Sequence, residues 1–378
     1  MTAPDETERL ARVALSRASE PGDLTTASLV AQLGPVGAVQ RQLEPKTDSL
    51  LHVRLAAVDP EGELERAARV GIRFVAPGDD EWPVQLDDLE AGEVEHLGMG
   101  LLPVGLWVRG PMPLTRLRES VAVVGSRSAT TYGCDVARSI AGGVVRAGLP
   151  VVSGAAVGID DAAHRGALSA GGPTVAVLAC GPDRAYPVQN ADVLRHLWST
   201  SAVVSEAPPG SAPTRPRFLA RNRLIAGLTR GTVLVEAAVR SGALNTATWA
   251  ELLSRQVMGV PGPVGSAASQ GVHERIRLGT ATLVSHAAEV LELVGATGEH
   301  LVEVPRAPER PRDRLSAVEQ QVLEHVPVVS PARIDSIADA ANAHVRITDP
   351  TLRRLRDLGF VELLPAGWRL AREPGNAV

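Results

Sequence analysis

Three arginines set among small residues carry the chemistry open to this sequence. Arg127 follows Gly125 and Ser126 at the end of the apolar run VAVV, and Arg221 and Arg223 bracket Asn222 in RFLARNRLIAGL (217–228). A guanidinium is planar, permanently charged and able to give two parallel N–H donors to one phosphate. Arginines among glycine turns therefore suit phosphate better than an apolar ligand. Gly125, Ser153, Gly154, Ser241 and Gly242 stand where apolar runs give way to helical patterns. At such turns, unpaired backbone N–H groups and the helix dipole favour an anion. In the same segment Arg217, Arg221 and Leu224 recur at helical spacing, and Phe218, three residues before Arg221, offers a ring on which a base can stack. These residues imply a binder of nucleic acid or of a nucleotide.

Signatures of turnover are missing. VAVVGSRSATTYG has Gly125 and Gly133 but no GxGxxG, and no acidic residue ends the next strand to hold a ribose, so a dinucleotide cofactor is disfavoured. No HExxH, GxSxG or Walker lysine occurs. Asp160 and His164, four residues apart in VVSGAAVGIDDAAH, read as a buried structural pair across one helical turn, with Asp160 capping the helix. Glu236, at the end of the run VLVE, reads as orienting Arg223 or a loop. No catalytic residue, cofactor or metal ion is expected. The alternative from another class is a Rossmann-like nucleotide phosphoribohydrolase using Glu236 or Asp160 on a nucleoside monophosphate. Such enzymes resemble PGGxGTxxE at their site, whereas VEAAVRSGALNTA lacks the paired glycines and the downstream acid.

The elements that must position these residues alternate. From about 118 to 293, short apolar runs and helical patterns follow one another in βαβ style, which calls for an α/β fold with a Rossmann-like, doubly wound, mostly parallel sheet. In that arrangement every strand-to-helix turn falls on one edge, so the small and basic residues share one crevice. Residues 1–57 read as a small helical bundle (GPVGAVQRQL is similar to a helix-hairpin-helix but has a single basic residue). Two further strands, IRFVAP and GLWVRG, read as an addition to the sheet edge and open a domain spanning 58–297. A proline-rich linker at 298–314 precedes three helices and a hairpin, the pattern of a winged helix, at 315–373. On its third helix Leu352 and Leu355 mark the buried face, and Arg353, Arg354 and Arg356 the exposed one.

The net charge of −5 argues at first against nucleic acid, but its distribution matters more. Residues 1–117 carry −8 and residues 293–378 carry −1, while 118–292, which hold the crevice, carry +4. A transcriptional regulator acting through the winged helix fits poorly with the balanced charge of that domain. No apolar stretch is long enough for a bilayer, the acidic start MTAPDETERL is no signal peptide, and Cys134 and Cys180 read as reduced core thiols, so a cytoplasmic protein is expected.

VAVVGSRSATTYG, SGAAVGIDDAAHRGAL, CGPDRAYPVQN, SEAPPG, RFLARNRLIAGL, VEAAVRSGALNTA and VPGPV stand in an order that resembles the DprA (Smf) family of bacterial DNA-processing proteins, from about Gly71 to Leu293. The resemblance implies a single-stranded-DNA binder without a known reaction, which dimerises and hands the strand to the RecA recombinase during natural transformation or recombination. It implies a DNA pocket including Gly125, Ser126, Arg127, Ser153, Gly154, Phe218, Arg221, Asn222 and Arg223. Three departures from the family pattern stand out. Val157 sits in a loop that is usually basic, Leu219 replaces a usual proline, and QGVHERIRLGTATL (270–283) lacks an asparagine and brings His273.

Overall fold

Aspartate and serine side chains start the N-terminal helices by accepting from backbone N–H groups that have no helical partner. Asp5 caps α1 (Glu6–Ala18) and Asp23 caps α2 (Leu24–Leu43), which breaks at Gly34, where φ is 69° and Pro35 follows. Ser49 caps α3 (Leu50–Ala56) and Asp59 caps α4 (Pro60–Arg69). Ala14, Leu15, Ala18, Ala38 and Leu55 close a small core between the first three helices. The computed structural model describes residues 3–44, 49–90, 102–296, 298–301 and 311–371. Contacts divide the chain into two units, Met1–Val302 and Glu303–Val378, and the N-terminal helices belong to the first.

Unit one is organised by a nine-stranded sheet. Its strands are β1 (Ile72–Val75), β2 (Leu106–Arg109), β3 (Val121–Val124), β4 (Val151–Ser153), β5 (Thr174–Leu178), β6 (Ala202–Ser205), β7 (Gly231–Leu234), β8 (Gln256–Gly259) and β9 (Thr282–Leu283). They lie in the order β1-β2-β6-β5-β4-β3-β7-β8-β9. All pairings from β6 to β9 are parallel, and β1 and β2 extend the β6 edge antiparallel. The parallel strands VAVV and TVAVL are buried at every residue, because helices cover both faces and leave no solvated side to demand alternation. Those helices are α5 (Thr131–Arg146), α6 (Ile159–Ser169), α7 (Ala191–Thr200), α8 (Arg215–Gly227), α9 (Gly242–Leu252), α10 (Gln270–Arg277) and α11 (Ala287–Val294). From β3 the chain steps outward through β4, β5 and β6, then returns to the other side of β3 at β7. The direction reverses between β3 and β7, and a doubly wound sheet opens its binding crevice outside the carboxyl ends of such a pair.

Unit two holds α12 (Ala317–Glu324), α13 (Ile334–Ala340), α14 (Val345–Asp357) and the hairpin β10 (Val361–Leu364) and β11 (Gly367–Leu370). Val322, Leu323, Ile337, Leu352, Leu355, Val361 and Trp368 form its core, and a bridge from Ala332 to Trp368 adds a third short strand segment to the wing. Arg353, Arg354 and Arg356 are exposed as the sequence suggested. Each is also matched by a carboxylate of its own unit: Asp349 at 3.0 Å, Glu319 at 2.5 Å and Asp357 at 3.2 Å. Of the linker read at 298–314, residues 302–310 lie outside the described residues. Among the described residues no helix is long and apolar enough to cross a membrane.

Candidate nucleic-acid interface

The loop after β3 is fixed before any ligand arrives. The Ser126 N–H donates to the Glu236 carbonyl at 2.7 Å, and the Ser126 carbonyl accepts from the Ile159 N–H at 3.2 Å. The Glu236 carboxylate, almost fully buried, accepts from the backbone N–H of Thr130 at 2.9 Å and from its hydroxyl at 2.5 Å. Thr130 in turn caps α5. Glu236 thus orients the β3 loop and not Arg223. Gly125 is required here, since a Cβ would strike Ile159 and the Glu236 carbonyl. Arg127 remains exposed at the apex, its guanidinium carbon 4.8 Å from the centroid of the Phe218 ring.

Arg221 runs beneath this apex. Its Nη1 donates to the carbonyls of Gly154 and Val177, both at 2.7 Å, and a side chain at position 154 would collide with the guanidinium. Asp160, at the start of α6, lies against Arg221 and accepts from the Ala156 N–H at 3.3 Å. Burial pushes the Asp160 carboxyl up, opposed by the Arg221 charge and by backbone donors from Ala156 and Gly125. Gly158, with φ at 89°, takes the N-cap position of α6.

Helix α9 supplies the far wall. Ser241 caps it by accepting from the Ala243 N–H at 3.3 Å, and nothing stands within 4 Å of where a Cβ on Gly242 would be. Asn222 reaches across from α8 to the Gly242 carbonyl at 3.3 Å and to Asn245 at 3.1 Å, joining the two walls.

Between these elements lies a cleft of about 880 Å³, lined by Gly125, Ser126, Arg127, Phe218, Arg221, Asn222, Ser241 and Gly242. Four residues expected there do not line it. Ser153 is buried under the floor, its hydroxyl donating to the Val123 carbonyl at 2.6 Å, and Gly154 is covered by Arg221. Arg217 turns to the connection between α1 and α2, where its Nε and Nη2 reach the two oxygens of Glu20 at 2.7 and 3.0 Å. Arg223 is fully buried, with both terminal nitrogens 2.8 Å from the oxygens of Glu206. Conversely, Arg215 and Arg240 line the cleft, are exposed and have no ion-pair partner among the described residues. Arg240, immediately before Ser241 and Gly242, carried a readable signal: a cation flanking a helix N-terminus.

Asp160 and His164 do not pair. The His164 Nδ1 meets the Thr174 hydroxyl at 2.8 Å instead, and burial beside the Arg221 charge holds the imidazole down at about 3. Of the family departures, Leu219 lines the cleft, whereas His273 sits on the Gly262 carbonyl at 3.1 Å, outside the lining. Among the described residues no group of three or more His, Cys, Asp or Glu side chains is arranged to hold a metal ion.

A family model described as DNA recombination-mediator protein A matches residues 73–295. The chain is 41% identical to the putative DNA processing protein DprA of Mycobacterium tuberculosis, over 95% of this chain and 93% of that protein. It is 34% identical to protein Smf of Escherichia coli, over 71% of this chain and 72% of that one. Among solved structures, DNA processing protein A from Streptococcus pneumoniae superposes with a TM-score of 0.62 at 29% identity, covering 77% of this chain and 98% of that chain. The Helicobacter pylori protein, whose structure is described for its single-stranded DNA binding mode, shares the fold with a TM-score of 0.52 at 23% identity, covering 60% and 96%.

Proposed function

This chain belongs to the DNA recombination-mediator protein A (DprA/Smf) family of DNA-processing proteins, and from that premise we propose that it binds single-stranded DNA in the β3–β7 cleft without transforming it. One observation carries the reading: the Arg127 guanidinium stacks on Phe218 at the mouth of a cleft flanked by the unpaired Arg215 and Arg240. That combination offers cations to a backbone and a ring to a base. A ring can accept a base only where the base face is free, as in a single strand and not within a duplex. The wider role implied by the family resemblance belongs to the same proposal. In that role a homodimer protects incoming single strands and delivers them to RecA in transformation or recombination. The absence of turnover finds support in the carboxylates. Glu236 is consumed in holding Thr130, and Asp160, although it lines the cleft, faces the Arg221 charge and accepts from the Ala156 N–H.

Fluorescence anisotropy with an oligo(dT) strand, a duplex of equal length and thymidine monophosphate tests this. The single strand should bind tightest, and the monophosphate should be recovered unchanged. Equal or tighter duplex binding, or base release from the monophosphate that disappears in Glu236→Gln, would overturn it.

A further inference from the structure

Two aromatic rings meet at the cleft mouth, but the cleft accounts for one of them. Phe218 lines the cleft; Tyr186 does not, yet its ring centroid lies 6.4 Å from that of Phe218 with the planes inclined by 47°. Tyr186 belongs to the segment between β5 and α7, so it stands at the carboxyl end of β5, two strands along the sheet from β3. It is 41% exposed, and its hydroxyl has no hydrogen-bond partner among the described residues. A buried tyrosine earns its place by packing and by its hydroxyl bond; this one has an open face and an unused hydroxyl. The chain has only two tyrosines and three phenylalanines, so an exposed tyrosine ring beside the half-buried Phe218 ring on the binding edge is no by-product of an aromatic-rich composition.

We propose that Tyr186 is a second base-stacking station, which carries a bound single strand out of the cleft toward the β6 side of the sheet. This rests on the single-strand reading of the cleft. Rings inclined by 47° cannot clamp one base between parallel faces. They can take successive bases of a strand that bends as it leaves, one on Phe218 and the next on Tyr186. Stacking accepts any base, so the station adds length to the footprint and not sequence preference. Arg184, two residues earlier and exposed, has its Nη2 on the Gly210 carbonyl at 3.1 Å and supplies positive charge beside the same exit.

The test uses the full chain and oligo(dT) strands in which a single 2-aminopurine is moved along the sequence, because stacking quenches its fluorescence. In the wild type two neighbouring positions should be quenched. Phe218→Ala should brighten one and Tyr186→Ala only the other. Tyr186→Phe should retain the quench and Tyr186→Leu lose it. Affinity for a strand spanning both stations should fall roughly fivefold or more in Tyr186→Ala, while a tetranucleotide filling the cleft alone binds as in the wild type. Unchanged quenching and affinity in Tyr186→Ala would overturn the station. Equal loss on both strand lengths would also overturn it, because the ring would then be acting through the cleft. Failure of the cleft itself reads differently: no single strand would bind, and Arg127→Ala would change nothing.

Discussion

The two terminal nitrogens of Arg223 each lie 2.8 Å from an oxygen of Glu206, with the arginine side chain wholly out of solvent. A guanidinium so engaged and so enclosed is not presented to a phosphate. Arg223→Ala leaves an acid buried without its partner, a loss of about 3–5 kcal/mol. Urea unfolding of that variant should show a large drop in midpoint. Whatever folded protein remains should bind single-stranded DNA with the wild-type salt slope. A stable variant with a shallower slope would return Arg223 to the interface.

Arg127 has the opposite character, exposed and, among the described residues, held only by the Phe218 ring. Arg127→Ala should weaken binding to every sequence and reduce the slope of log affinity against log salt by about 0.7, one phosphate contact on a single strand. Its unfolding midpoint should stay at the wild-type value. An unchanged slope in a folded variant would remove Arg127 from the phosphate path.

A chain ended after Leu301 should keep most of its affinity. The cleft lies wholly within Met1–Val302, and the arginines of α14 are already balanced by Asp349, Glu319 and Asp357. Near-complete loss of binding by a monodisperse truncated protein would place essential contacts in the winged helix.

His164 gives the protein an acid-sensitive core. The Thr174 hydroxyl donates to the Val151 carbonyl at 2.9 Å, so it accepts from the His164 Nδ1–H, and Nε2 faces the interior without a partner. Protonation there would bury a charge, which is why the folded value lies near 3, below the ordinary 6.5. Below pH 6.5 the unfolded chain takes up a proton that the folded chain refuses. The contribution is therefore complete above about 6.5 and is lost as pH falls toward 3, amounting to about 2 kcal/mol by pH 5. Urea midpoints at pH 7 and pH 5 should converge in His164→Gln relative to the wild type. An equal acid loss in both proteins would contradict this origin.

The sheet edge was legible because apolar runs ending in glycine and serine leave few topologies open, and the β3–β7 reversal collects their turns. The arginines on α8 were only half legible. Residues two apart on a helix point roughly 200° from each other, so Arg221 and Arg223 could not both face the cleft, and spacing alone separates them. The fate of Arg217 was beyond any local pattern, since its partner Glu20 lies 197 positions away in the connection between α1 and α2. The same holds for His164: its neighbour Asp160 satisfied the helical spacing, yet the ring found Thr174 on the adjoining strand β5.

The Ser126–Glu236 and Glu236–Thr130 bonds fasten the loops on the two sides of the β3–β7 reversal to one another. A receptor stitched in this way has little loop entropy left to surrender when it captures a polymer. In the proposed complex the ordering penalty of association would fall mainly on the strand, whose backbone and bases must be immobilised against loops already held by these bonds. Long, unstructured strands should consequently engage rapidly and rebind locally, with residence set by how many nucleotides are held down at once rather than by any closing motion of the protein.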